Sequence, residues 1–301
     1  MTFDTYVFII ASIQGDYYMK KIAIVVDSST SLTPVDAKQL NIFVAPLSIN
    51  VYGKEHADLV DIFPEDIMRA LEAKEEIKTS QPNLGLLDAM FKKIKADNYD
   101  HIFIYSIAGH LSGTYQAFNL AASTNNITNI TIIDSLSACG PIRQMALVTK
   151  RMNEEGKSIQ EIEDFMSHMV ETTVTYILPE SLDQLVRGGR VKGATAALSS
   201  LLKIKLCLYL DQHTTSIEKF ATERSEFKLY NAIYTDMLER GVNPKTHIIL
   251  LPGLAAEERI AGFKKFLVEK DPNYEIKDLV LPAGIAAHTG LGTFGVQAVL
   301  K

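Results

Sequence analysis

The chain has 301 residues, 47% of them hydrophobic, and a formal net charge of −6 at pH 7. That length supports one large or two ordinary α/β domains with real cores, and the acidic balance argues against general affinity for nucleic acid or an anionic membrane. The two cysteines, Cys139 and Cys207, lie far apart and form no CxxC pair or disulfide framework, which fits a reducing cytoplasm.

Residues 1–18 contain a short apolar run at 7–13 that lacks preceding basic residues and is too short to span a bilayer. Met19-Lys20-Lys21 then opens a strand at 22–27, so 1–18 read as an appended extension and no transmembrane segment is expected. Apolar spacing predicts helices at 34–40, 64–73, 84–96, 114–122 and 142–155, with strands at 101–106 and 129–134. Buried strands alternating with helices imply a parallel sheet covered by helices. After a helix at 159–170, the second half reads as strand 172–178, helix 180–186 and a hairpin from 202–210 and 215–221. Helix 227–240, strand 247–251, helix 257–269, strand 276–281 and a final strand at 292–300 complete it. The expected division is 1–18 extension, 19–171 first α/β domain and 172–301 second α/β domain, packed without a floppy linker.

Three distant segments together supply small hydroxyl residues, glycine and a lone basic group: Thr79-Ser80-Gln81-Pro82, Ser112-Gly113-Thr114-Tyr115-Gln116 and His288-Thr289-Gly290-Leu291-Gly292. The first two stand at predicted helix starts, with Ser112 as an expected N-cap and Ser80 capping a helix whose first turn includes Pro82. Helix starts beyond the carboxyl ends of parallel strands attract anions. Taken singly, each hydroxyl reads as an ordinary cap; brought together, the three segments make a cradle for a small anion.

In order and spacing the chain resembles the DegV family over Met19 to Lys301. The resemblance rests on KIAIVVDSST at the start, TSQP, LSGTYQ, IIDS ending at Ser135, the LxxLxRGGRV-like stretch from Leu182 to Val191, and the near-terminal HTGxG. It implies a two-domain α/β fold, with an N-terminal parallel sheet, a second lipid-binding domain and the ligand between them. It further implies a protein that is not itself a catalyst. The family's fatty-acid-binding subunits hold a long-chain fatty acid and present its carboxylate to a separate fatty acid kinase, which makes an acyl phosphate for phospholipid synthesis. On this resemblance Thr79, Ser112 and His288 are expected at the ligand head and Arg190 near it, with Ser80, Gly113 and Thr289 completing the ligand-binding set. Ala194, Ala196, Ala197, Leu198, Leu201, Leu202 and Ile204 read either as tail lining or as plain core.

The chain departs from the family pattern at Leu291, where HTGPG is usual, at Ile204-Lys205-Leu206-Cys207-Leu208, where an IKPIL-type strand is usual, and at Asp211-Gln212-His213, where Asp-Gly is usual. A basic residue common after the following strand is also replaced near Ala221 to Glu223. These changes bear on ligand length and shape and on docking of the kinase. The resemblance is compatible with transient contact with a membrane.

Other readings are weaker. Gly290 to Gly295 spells GxGxxG, but a dinucleotide site needs a helix after it and an acidic residue about twenty positions on, and here a strand is expected. Gly109-His110-Leu111-Ser112-Gly113 is GxxSG and not the hydrolase elbow GxSxG; a Ser112–His288 pair keeps an esterase or acyl hydrolase as the alternative. A regulatory relative that has lost the lipid is a third reading. The seven histidines include no HxxxH pair and no Cys/His cluster, so neither metal nor cofactor is expected.

Overall fold

Ala23 and Val25 alternate with Ile24 and Val26 along β1 (Ile22–Asp27), and because strand side chains point to opposite faces in turn, this strand is buried on both sides. The protein is described here by a computed structural model covering residues 19–191 and 204–301. After β1 come α1 (Pro34–Leu40), β2 (Ile42–Ala45), β3 (Ser48–Val51), β4 (Lys54–Ala57), α2 (Pro64–Glu72), β5 (Lys78–Ser80) and α3 (Leu84–Ala96). The chain continues through β6 (His101–Ser106), α4 (Thr114–Thr124), β7 (Ile130–Asp134), α5 (Gly140–Glu154) and α6 (Ile159–Thr172). The remainder holds β8 (Val174–Leu178), α7 (Asp183–Arg187), β9 (Lys205–Leu210), β10 (Glu218–Glu223), α8 (Glu226–Glu239), β11 (His247–Gly253), α9 (Glu257–Lys270), β12 (Glu275–Val280), α10 (Ala283–Thr289) and β13 (Phe294–Leu300).

A parallel sheet in the order β2-β1-β6-β7 and a six-stranded mixed sheet in the order β10-β9-β8-β13-β11-β12 form the two main layers. Leu87, Phe91 and Ile94 of α3 and Ala117 and Phe118 of α4 cover one face of the parallel sheet. Its other face meets α5, whose Ile142, Met145, Ala146 and Val148 belong to one cluster with Ile24, Phe103, Ile248, Leu250 and Val299. Helix α5 therefore lies between the sheets, and its burial on several sides explains why it reads as helical without a clean polar face. Phe263, Leu229 and Ile233, from α8 and α9, cover the far face of the mixed sheet.

The mixed α/β architecture with a parallel first sheet agrees with the expectation from sequence. The hairpin is present, with β9 and β10 antiparallel, and a strand rather than a helix follows Gly290 to Gly292. Three expectations need correction. Ser80 caps no helix: it ends β5, paired with Ser48, and Asn83 caps α3 by accepting from the backbone N–H groups of Gly85 and Leu86. Pro82 accordingly precedes the helix instead of sitting in its first turn. Ser112 is not the N-cap of α4, which is Gly113. The three-stranded antiparallel sheet β4-β3-β5 and the helix α10 were not anticipated. The expected extension 1–18 and the tail positions Ala194, Ala196, Ala197, Leu198, Leu201 and Leu202 lie outside the described residues.

Candidate functional site

The carboxyl ends of the parallel strands are pinned by two aspartates. Asp27 Oδ2 accepts from the Ile107 N–H at 2.6 Å and Asp27 Oδ1 from the Ser29 N–H at 2.9 Å. Asp134 accepts from the N–H groups of Gly109, at 3.0 and 3.1 Å, and Leu136, at 3.0 Å. A side chain at position 109 would meet Asp134 Oδ2 at 2.7 Å, so only glycine allows this grip. The grip fixes the loop that follows β6, and that loop delivers Ser112 to a cavity of about 510 Å³ between the parallel and mixed sheets.

All seven sequence-predicted residues, Thr79, Ser80, Ser112, Gly113, Arg190, His288 and Thr289, line this one cavity. Thr79 stands on β5, held in register by Ile49 of β3, and its Oγ1 lies 2.6 Å from His288 Nε2 near the end of α10. Ser112 Oγ lies 2.8 Å from Thr114 Oγ1. Arg190 donates from Nε to the Leu111 carbonyl at 3.4 Å and from Nη1 to the Gly188 carbonyl at 2.5 Å, which ties the Ser112 loop to the turn after α7. That turn in turn abuts His288, because a Cβ at Gly188 would stand 2.5 Å from His288 Nδ1. The other members contribute less hydrogen-bonding capacity. The Thr289 hydroxyl donates to the Ile285 carbonyl at 3.1 Å, and Ser80 Oγ reaches the Gln81 carbonyl at 3.5 Å.

Burial, reinforced by the nearby Arg190 charge, pushes the His288 pKa down to about 4, so the imidazole is neutral near pH 7. Behind α10, the fully buried Asp58 accepts from Ser28 Oγ at 2.7 Å and from the backbone of Gly284, at the opposite end of that helix from His288. Burial pushes Asp58 up to about 7.

The wall also carries an apolar set, Ile107, Leu111, Ile177, Leu185, Leu210 and Ile217. Ile204, expected as tail lining, is 38% exposed and is not part of this wall. Cys139, Thr175 and Gln297, all buried, also line the cavity, and sequence reasoning missed them. Thr175 and Gln297 sit opposite each other on β8 and β13, and in the sequence neither stands in a segment with a motif.

The hydrolase alternative requires Ser112 and His288 to pair, and here Ser112 pairs with Thr114 while His288 pairs with Thr79. Among the described residues no group of three or more His, Cys, Asp or Glu could hold a metal ion, and no helix is long and apolar enough to cross a membrane.

A family model described as "Uncharacterised protein, DegV family" matches residues 21–301. A DegV domain-containing protein of Clostridium perfringens is 30% identical over 283 residues, covering 93% of this chain and 98% of that protein. Among solved structures, a fatty-acid-binding DegV family protein from Thermus thermophilus is similar with a TM-score of 0.85 and 27% identity, over 93% of this chain and all of that one. DegV of Bacillus subtilis, described as a fatty acid binding protein, is similar with a TM-score of 0.81 and 26% identity, over 94% of this chain and 100% of that one. With the family model spanning nearly the whole length and the same fold in these relatives, the chain belongs to the DegV family.

Proposed function

We propose that this chain binds a long-chain fatty acid in the cavity, with the carboxylate at Thr79, Ser112, Arg190 and His288, and presents it to a separate kinase that makes the acyl phosphate. The observation that carries this reading is the joining, in one cavity, of a cluster of neutral donors beside an arginine with an apolar interior. The relatives from Thermus thermophilus and Bacillus subtilis, both fatty-acid-binding, support it.

The chemistry follows from hydrogen counting. A neutral imidazole has one N–H; when it sits on Nε2 and donates to Thr79 Oγ1, the threonine hydroxyl hydrogen is left to donate to a carboxylate. Ser112 offers its own hydrogen in the same way when Thr114 donates to it. Bonds to a charged acceptor are the stronger kind. The bound carboxylate keeps an oxygen free to attack the donor phosphorus, forming the acyl–phosphate bond as the bond to the departing nucleoside diphosphate breaks.

The chain itself supplies no catalytic group in this scheme. Native mass spectrometry of the purified protein with lipid extraction tests the first half: about one fatty acid per chain is expected. A protein that carries no lipid and binds no fatty acid from a panel of chain lengths is not a carrier. Acyl-phosphate formation with a cognate kinase, absent without this chain, tests the second half.

A further inference from the structure

Apart from the head-group cluster, the cavity wall carries buried polar atoms at Thr175 and Gln297, and they can be counted. Gln297, 1% exposed, accepts on Oε1 from the Gly140 N–H at 3.0 Å and donates from Nε2 to the Ala138 carbonyl at 2.8 Å. These two backbone partners, one a donor and one an acceptor, fix which way the amide points. The second Nε2 hydrogen therefore goes to Thr175 Oγ1, 3.1 Å away, and Thr175 must accept there. Ser137 Oγ lies 2.9 Å from the same Thr175 oxygen.

Between the two hydroxyls there are two hydrogens and one shared bond. Whichever hydroxyl donates, the other's hydrogen has no acceptor among the described residues. If Ser137 donates, Thr175 has accepted twice and its own hydrogen is left over. Thr175 lines the cavity and Ser137 does not, so this is the arrangement in which a guest can use the surplus. Gln297 Oε1 has a single donor and keeps a second lone pair, so the same spot can also accept. A hydroxyl entering here finds both a donor and an acceptor, whereas a methylene leaves them unmet.

From this count we infer that the cavity is built for an acyl chain bearing an oxygen function, hydroxyl or keto, part-way along or at its far end, recognised by Thr175 and Gln297. The inference rests on the fatty-acid reading above and narrows its substrate class. The head-group residues Thr79, Ser112, Arg190 and His288 are half-buried, while Thr175 is 4% exposed, so two separate polar groups of different exposure line one cavity. A carboxylate at the head-group residues and an oxygen at Thr175 make a two-point recognition that sets register along the chain.

The test titrates stearate and a positional series of monohydroxystearates into the delipidated full chain. At least one isomer should bind about five- to tenfold more tightly than stearate, the worth of one well-made hydrogen bond. In Thr175→Val the ratio of that isomer's affinity to stearate's should fall to about one or below. Thr175→Ser, which keeps the hydroxyl, should keep the preference. If stearate binds and no isomer exceeds it, the inference is overturned and the carrier reading stands; the same holds if the preference survives Thr175→Val. If neither stearate nor any isomer binds, both are overturned.

Discussion

His288 carries one proton near neutral pH, and the side on which it sits decides what the cavity offers an anion. Burial pushes its pKa to about 4 against an ordinary 6.5, so between those values the unfolded chain binds a proton that the folded chain does not. Its contribution to stability is therefore full above pH 6.5 and is lost as pH falls toward 4. Asp58 works in the opposite sense: raised to about 7 from 3.8, its contribution is full below pH 3.8 and is lost as pH rises to 7. The two slopes oppose each other, and single variants should separate them. In urea unfolding across pH 4–7, His288→Gln should make stability fall more steeply with rising pH than in wild type, and Asp58→Asn should make it rise. Identical pH profiles in all three proteins would refute both assignments. At the head group, Thr79→Ala or Ser112→Ala should weaken fatty-acid binding by no more than about 1–3 kcal/mol, since each removes one donor to a charged acceptor. Acyl-phosphate formation should fall by more, because misplacing a reacting atom costs on the order of a hundredfold in rate. Titration and a kinase-coupled assay on the same variants check this.

At the scale of elements, the site depends on where short pieces of backbone are allowed to approach. A Cβ at Gly188 and one at Gly113 would each meet a neighbouring side chain, with different consequences. A Cβ at 188 would press on His288 Nδ1 at 2.5 Å, and that ring is held on its other side by Thr79. A Cβ at 113 would meet Gln81 Oε1 at 2.2 Å, the tip of a flexible side chain that can swing away. Gly188→Ala should therefore cost about 1–3 kcal/mol of stability, the usual range for overpacking, and Gly113→Ala less than that; unfolding midpoints decide, and equal losses would show that the imidazole is free to move. These positions also mark how far the sequence could be read. Long elements with clear periodicity, such as α3, α8 and the buried strand β6, were legible because many residues repeat one pattern. Strands β2 to β5 have three or four residues each, too few for a period to emerge, so Thr79 and Ser80 were read as a helix approach when pairing with β3 makes them a strand. Helix α10 has seven residues, mostly alanine and glycine, and His288 was legible only through its motif. Thr175 and Gln297 carried no local signal, since their meaning arises only when β8 and β13 pair and Gly140 approaches from α5.

For the whole molecule, the cavity exists because α5 holds the two sheets apart in one continuous core while the loops after β6 and β7 line the gap. Mouth and interior then divide the work. Burying a methylene contributes about 0.8 kcal/mol, so a chain of some fifteen yields on the order of 12 kcal/mol before ordering costs. Two or three head-group bonds contribute about 1.5–3 kcal/mol each, much of it offset by desolvating the carboxylate. The tail should thus set affinity, and the head should set orientation. A saturated series from octanoate upward should show affinity rising about fourfold per added methylene, the equivalent of that increment, until the apolar wall from Ile107 to Ile217 is filled, and level or fall beyond. Calorimetry along the rising part should show an increasingly negative heat-capacity change, the mark of apolar burial. An affinity independent of chain length, with no such heat-capacity trend, would place recognition in the carboxylate cluster alone, and the apolar interior would then be core rather than binding site.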